Sequence, residues 1–212
     1  MLLTPIVGMI SSWSTLAIPV LFFLLRPQRL VKANWLLLVY SVLHFASDRI
    51  NEFFSTDDHM LHQLSFVFVL LEYVVLAALL YMVLMKKRNR RWVLAGSALF
   101  AILAVLTWVR WGAGYYGSIR GTSVILLISY IMFFFLEWIT AETFEPINTR
   151  PEFWMVTGAL LYLAGNFFFF ITIRNQFAES LLIHYLVNIL RNACFVAAMV
   201  QSCSTGKNTS VI

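Results

Sequence analysis

The sequence predicts an all-α protein of the polytopic membrane class, a bundle of seven transmembrane helices. Hydrophobic residues make up 61% of the 212 residues and charged residues only 12%. Soluble domains contain ~45–50% apolar residues and ~25% charged residues. The mean hydropathy is +0.82, and the apolar residues form long blocks separated by short polar stretches. Because no block shows the alternation of a barrel strand, helices are the expected spanning structure.

Seven of these blocks are long enough to cross the hydrocarbon core, which takes ~20 residues. We predict spans at Pro5–Leu25, Asn34–Phe54, Leu61–Met85, Trp92–Val109, Ser118–Ile139, Glu152–Ile173 and Leu181–Ser202. Residues 1–203 are therefore expected to form one transmembrane domain, followed by a short disordered tail at 204–212. Seven spans use most of the chain, so we expect no extramembrane catalytic domain.

The distribution of basic residues predicts the orientation of the bundle. The loop after the third span carries Lys86, Lys87, Arg88, Arg90 and Arg91, and the even-numbered loops carry fewer basic residues. Since cytoplasmic loops are enriched in lysine and arginine, the odd loops and the C-terminus are expected in the cytoplasm and the N-terminus outside. The net charge of +5 is explained by these loop residues, which set the orientation in the membrane. We therefore expect no nucleic-acid partner.

Two ionisable residues are predicted to meet inside the membrane. Glu72 lies about eleven residues from the outer end of the third span and Arg191 about ten from that of the seventh, so a ~1.5 Å rise per residue places them at one depth. Either charge alone would be costly in lipid, and each is the natural counter-ion of the other. The pair is compatible with a structural role in helix register or with a functional one.

Other polar side chains are expected in the same outer half of the bundle. On the seventh span, His184, Asn188, Arg191 and Asn192 follow helical spacing and share one stripe. On the second span, His44 and Asp48 are an i, i+4 pair. Asn166 lies in the outer half of the sixth span.

This convergence has two interpretations. Polar side chains between membrane helices often serve only packing, at ~0.6 kcal/mol each, and that is the better interpretation for Asn166, Asn188 and Asn192 taken singly. For the cluster as a whole we favour a water-accessible pocket that opens to the outside. Glu137, near the cytoplasmic end of the fifth span, is adequately explained by exposure at the membrane interface.

Several chemistries are excluded or less favoured. A retinal protein needs a lysine in the seventh span for its Schiff base, and this span has none. A zinc-dependent membrane lipid hydrolase needs about three histidine ligands. His44, Asp48 and His184 supply only two nitrogens and one oxygen, although His62 would be a further candidate. We therefore assign no catalytic residue, no metal site and no cofactor, and an enzymatic role is less favoured.

A small-solute transporter that uses the same cavity is a second alternative. Pro27-Gln28 after the first span is similar to the PQ-loop motif of small seven-helix transporters. That family has a second copy of the motif, whereas Glu145-Pro146-Ile147-Asn148 does not reproduce it. The spans also show no clear internal repeat.

Several motifs give the chain a family resemblance. They are Arg150-Pro151-Glu152-Phe153-Trp154 with Gly158, Tyr162, Gly165 and Asn166 in the sixth span, Asn188-Ile189-Leu190-Arg191-Asn192 in the seventh, and Glu72-Tyr73 in the third. With these motifs the chain resembles a group of small, largely uncharacterised seven-helix integral membrane proteins of Bacteroidota-type bacteria. Those proteins are similar to the membrane sensor modules that accompany histidine kinases. The resemblance implies a bacterial inner membrane and a sensory role.

The functional hypothesis is therefore a non-enzymatic membrane sensor with an outward-facing polar pocket. A small-molecule or proton ligand from outside would bind near Glu72, Arg191, His44 and His184 and shift the helix packing. The expected partners are the lipid bilayer and a separate cytoplasmic signalling protein, which would receive the signal from the third loop and the tail.

Overall fold

The computed structural model describes residues 3–25, 32–54, 56–141, 146–173 and 179–204, and within these ranges the chain is helical with no strand. The predicted all-α class is confirmed. The α-helices are α1 (Leu3–Ser14), α2 (Ala17–Leu25), α3 (Lys32–Phe53), α4 (Asp58–Val83), α5 (Lys87–Trp111), α6 (Tyr116–Ile139), α7 (Pro151–Ile173) and α8 (Glu179–Ser204). Pro27-Gln28 and residues 205–212 of the predicted tail lie outside the described ranges.

Five stretches of the described chain are long and apolar enough to cross a membrane. They are Ile6–Leu25, Asp58–Val83, Lys87–Trp111, Ala113–Ile139 and Leu181–Cys203. The helices α4, α5, α6 and α8 correspond to the third, fourth, fifth and seventh predicted spans, and α3 and α7 correspond to the second and sixth. The count of seven spans, their orientation and the single domain remain predictions.

The first predicted span is not one continuous helix, because it is interrupted between α1 and α2. Here the N–H groups of Thr15 and Leu16 donate to the carbonyls three residues earlier, at 3.3 and 3.0 Å. The hydroxyls of Ser14 and Thr15 both donate to the carbonyl oxygen of Ser11, at 2.7 and 3.4 Å. Hydroxyl groups that compete for backbone partners weaken a helix locally. Pro19 adds to this effect, because it has no N–H to donate to the carbonyl of Thr15 four residues earlier. The run of hydroxyl residues and the proline together account for the interruption.

Several helix ends have a local cause in the sequence. Asp57 precedes α4 and its side chain accepts a hydrogen bond from the N–H of Met60 at 3.1 Å, as an N-cap residue does. Gly112 follows α5 with a φ of 72°, which an L side chain would resist. Pro151 opens α7, a position at which the missing N–H has no cost.

The helices divide into two compact units. The first unit contains residues 1–42 and 141–212, and in it α8 packs on α7, α1 and α2. The second unit contains residues 43–140, and in it α6 packs on both α4 and α5. The helix α3 contributes its first residues to one unit and its remaining residues to the other.

Two glycines allow α7 and α8 to pack closely. A Cβ on Gly158 would lie 2.8 Å from the Phe195 ring, and a Cβ on Gly165 would lie 2.5 Å from the side chain of Val187. The glycines are seven residues apart and therefore share one face of α7. Gly158 contacts Phe195 and the later Gly165 contacts the earlier Val187, so α7 and α8 are antiparallel. Small residues of this kind let membrane helices approach each other.

We predict that Gly165→Ala lowers the free energy of unfolding by about 1–3 kcal/mol, because the added methyl group overfills the contact with Val187. Gly121→Ala on α6 is the matched control, since a Cβ at that position meets nothing within 4 Å. A denaturing-detergent titration of the protein in micelles measures both. Equal stability of the two variants would contradict the close packing.

Candidate functional site

The centre of the first unit is a fully buried arginine. Arg191 on α8 has 0% of its surface exposed. Its Nε and Nη2 atoms donate to Oδ1 of Asn192 at 3.0 and 2.9 Å, and its Nη1 atom donates to the hydroxyl of Tyr40 at 3.1 Å. The acceptors that this unit provides are thus neutral oxygens. They replace part of the hydration that the guanidinium loses on burial.

Two tyrosine rings also face the guanidinium. Its central carbon lies 4.6 Å from the ring centre of Tyr162 on α7 and 5.3 Å from that of Tyr40 on α3. Both distances fall within the range of cation–π attraction, which strengthens when the cation is removed from water. The two rings meet edge to face at 6.1 Å, and Phe195 packs against Tyr40 in the same way at 5.8 Å.

Asn192 connects this arginine to the break in the first span. Its Nδ2 atom donates to the hydroxyl oxygens of Ser14 at 2.7 Å and Thr15 at 3.2 Å. We call the set of Arg191, Asn192, Tyr40, Tyr162, Ser14 and Thr15 the arginine cluster. Through these contacts, two neighbouring side chains in the middle of α8 link this helix to α1, α3 and α7.

A second polar chain lies between α7 and α8. Nδ1 of His184 is 2.8 Å from Oδ1 of Asn166, and Nε2 of His184 is 3.2 Å from Nδ2 of Asn188. The first contact requires a proton on Nδ1, and the second requires a lone pair on Nε2. The arrangement therefore describes a neutral imidazole with its proton on Nδ1. We call these three residues the histidine chain.

The histidine chain leaves two buried amide atoms without a hydrogen-bond partner among the described residues, Nδ2 of Asn166 and Oδ1 of Asn188. Their residues are 2% and 4% exposed. A buried polar atom without a partner costs roughly 1–3 kcal/mol. One of these atoms is a donor and the other is an acceptor.

The structure thus brings together four of the predicted site residues, Asn166, His184, Asn188 and Arg191, on two adjacent helices of the first unit. The other three lie in the second unit. There His44 is buried, and its Nδ1 atom is 3.6 Å from a carboxylate oxygen of Asp48, as the i, i+4 spacing predicts. Glu72 is buried on α4. Its pairing with Arg191 remains a prediction from sequence.

Glu137 is the clearest correction to the sequence analysis, because it is not exposed at an interface. Its side chain on α6 is buried, with 1% exposed. One carboxylate oxygen accepts from the N–H of Met85 at 2.6 Å, and the other accepts from the N–H of Lys86 at 3.0 Å and from Nδ2 of Asn89 at 2.8 Å. The carboxylate therefore binds the start of α5, where the positive end of the helix dipole also favours it.

A cluster of hydroxyl groups in the second unit was also not predicted from the sequence. The hydroxyl of Tyr73 on α4 is 3.1 Å from that of Ser97 on α5 and 3.2 Å from that of Tyr130 on α6. Gly96 leaves the space into which the Tyr130 hydroxyl fits. In the sequence, the only signals were a tyrosine within each of two spans and a Gly-Ser pair in the span between them.

The described residues contain no group of three or more His, Cys, Asp or Glu side chains that could hold a metal ion. Comparison of the chain with models of protein families, with curated proteins and with solved structures finds no match. The helices and their apolar lengths therefore define the class on their own. The chain is an all-α protein whose described residues include five candidate membrane spans, consistent with an integral membrane protein, and its first unit has a buried polar centre.

Proposed function

We propose that the chain is a non-enzymatic membrane sensor. A proton or a small hydrogen-bonding solute binds at the histidine chain and changes how α7 and α8 pack, and a separate protein reads the change. The observation that carries the proposal is the pair of unpartnered buried amide atoms beside His184. Polar groups inside a membrane protein are expensive and are functional candidates by default.

The neighbouring arginine cluster supports a switch rather than a passive site. Asn188 lies one turn before Arg191 and Asn192 on α8, so a change at the histidine chain shifts the side chains that hold α1, α3 and α7. A solute that offers a donor and an acceptor would satisfy both amides. A proton on Nε2 of His184 would instead favour rotation of the Asn188 amide, which brings its oxygen to the ring. In both cases the two packing states differ in ligand affinity, as a sensor requires.

The helix α8 also provides a route to the other side of the membrane. His184 and Cys203 lie nineteen residues apart on this helix, or about 28 Å at 1.5 Å per residue. That distance is close to the hydrocarbon thickness of ~30 Å. With the predicted orientation, the end of α8 at Cys203 lies on the cytoplasmic side, in the bacterial inner membrane that the family resemblance implies.

The proposal is tested with a fluorescent label on Cys203. This thiol is half-buried and Cys194 is buried, so the full chain in lipid nanodiscs reacts preferentially at Cys203. We expect the emission to change between pH 5 and 8, or on addition of a panel of small amides and carboxylic acids at constant pH. His184→Gln is expected to abolish the change, and His62→Gln on α4 to retain it. The sensor proposal would be refuted if the emission stayed constant both in the pH series and with every solute. It would also be refuted if His184→Gln responded like the wild type.

A transporter is the second candidate, and the break between α1 and α2 favours it. Transporters often build their binding sites from interrupted helices, and here the interruption is bound by Asn192 in the arginine cluster. Proteoliposomes distinguish the two functions. A solute that changes the Cys203 signal and also enters the vesicles faster than it enters protein-free vesicles identifies a transporter.

A further inference from the structure

An apolar groove runs along the second unit between α4 and α5. Its volume is about 680 Å³, and all sixteen residues that line it belong to these two helices. Small side chains on both helices make the space, among them Ala77, Ala78, Ala101 and Ala104. Tyr73 and Phe100, which stack at 3.9 Å, lie along it. Both helices are candidate membrane spans, so we expect the groove at hydrocarbon depth.

The length and exposure of the groove fit an extended chain. On α5 its lining residues extend from Val93 to Trp108, which is about 22 Å at 1.5 Å per residue. One leaflet of the hydrocarbon core is about 15 Å thick. Only 17% of the most apolar window of α5 is buried, so the groove is accessible from the side.

Basic residues continue the groove at the start of α5. Lys87 and Arg90 precede Leu94, Ser97, Ala101, Ala104 and Trp108 at alternating intervals of three and four residues, so they share the stripe of α5 that lines the groove. The guanidinium of Arg90 lies 5.5 Å from the ring centre of Tyr81, itself a lining residue, and its Nε donates to the carbonyl of Leu84 at 2.7 Å. The cation is therefore held at the end of the groove.

The same end has a strong excess of positive charge. Lys86, Lys87, Arg88 and Arg91 are exposed there. The carboxylate of Glu137 lies near them but is buried and binds three N–H groups.

We propose that this groove is a binding site for an anionic phospholipid, with an acyl chain along α4 and α5 and the phosphate beside Lys87 and Arg90. The apolar walls match the acyl chain, and the basic end matches the headgroup. Basic clusters next to a membrane helix attract anionic lipids by about a factor of five per cation. This site is separate from the histidine chain, and the sensor proposal does not depend on it.

The test measures lipid association with the full chain reconstituted in phosphatidylcholine bilayers. Spin-labelled phosphatidylglycerol and spin-labelled phosphatidylcholine report the fraction of each lipid that the protein immobilises. We expect a several-fold preference for phosphatidylglycerol. Lys87→Gln should reduce the preference about fivefold, and clearly more than Arg88→Gln, which removes an exposed charge from another face of α5.

A second pair of variants tests whether the acyl chain occupies the groove. Ala101→Leu fills the groove, and Ala98→Leu adds the same volume at an exposed position of α5 outside it. We expect only Ala101→Leu to reduce immobilisation of phosphatidylglycerol, by threefold or more. Absence of a headgroup preference would overturn the proposal, as would equal effects within either pair. A change of oligomeric state in Ala101→Leu with unchanged lipid binding would instead assign the groove to a second copy of the chain.

Discussion

Replacing Arg191 by methionine is expected to lower the free energy of unfolding by about 2–4 kcal/mol. Methionine fills much of the volume but donates no hydrogen bond. Oδ1 of Asn192 then loses both of its donors from Arg191, and the hydroxyl of Tyr40 loses one. Replacing a buried charge by an apolar side chain is often harmless when its partners are replaced with it. Here the partners remain buried, so the loss dominates.

Arg191→Lys separates charge from geometry in the same denaturing-detergent titration. Lysine keeps the charge but not the planar fork that binds Asn192 twice and lies over two tyrosine rings, so we expect more than half of the loss to remain. Leu190→Met is the control, because Leu190 is the preceding residue of α8 and is exposed. Wild-type stability in Arg191→Met would show that the arginine cluster does not hold the first unit together.

The same assay tests the predicted pairing of Glu72 with Arg191. Glu72→Gln and Arg191→Met are measured singly and together. If the two side chains interact, the combined loss differs from the sum of the single losses by 0.5 kcal/mol or more. Strictly additive losses would contradict the ion pair that was predicted from the equal depth of Glu72 and Arg191 in their spans.

Replacing Glu137 by alanine has the second large expected effect, a loss of about 2–4 kcal/mol. Three donors at the start of α5, the N–H groups of Met85 and Lys86 and the amide of Asn89, then lose their acceptor. Glu137→Gln retains one acceptor oxygen and should cost about half as much. Ile139→Ala, two residues later and 80% exposed, is the control.

Hydrogen exchange gives a local measurement of the same effect. The amides of Met85 and Lys86 should exchange faster in Glu137→Ala than in the wild type, while those in the middle of α6 should be unchanged. Protection of Met85 and Lys86 that equals the wild type would mean that water or another group replaces the carboxylate at no cost.

The helical class and most helix positions were predictable because they depend on local features. Apolar block length and the absence of strand alternation predicted helices, and the structure confirms them. The interruption between α1 and α2 was missed, although the run of Ser11, Ser12, Ser14 and Thr15, followed by Pro19, is its local signal. A count of apolar residues averages over such a run, whereas its hydroxyl groups act on individual carbonyls.

The candidate site was predictable only in part. Helical periodicity placed His184, Asn188 and Arg191 on one stripe, and Asn166 joins His184 as a partner from the neighbouring helix. Periodicity does not reveal which aromatic rings cover a cation, so the roles of Tyr40 and Tyr162 became evident only from the tertiary structure. The opposite error occurred at Glu137, where proximity to a span end suggested exposure although a neighbouring loop buries the carboxylate.

The sequence alone determined that the chain is helical, that it contains spans suited to a membrane, and that the last predicted span carries a polar stripe. These properties follow from the solvation of single segments, which depends on residue type and spacing. Only the tertiary structure decided that Asn192 binds the α1–α2 break, that Glu137 binds the start of α5, and that α4 and α5 leave a groove beside a basic end. Each of these depends on contacts between residues distant in the chain, and hydrogen-bond geometry and side-chain volume determine such contacts one pair at a time.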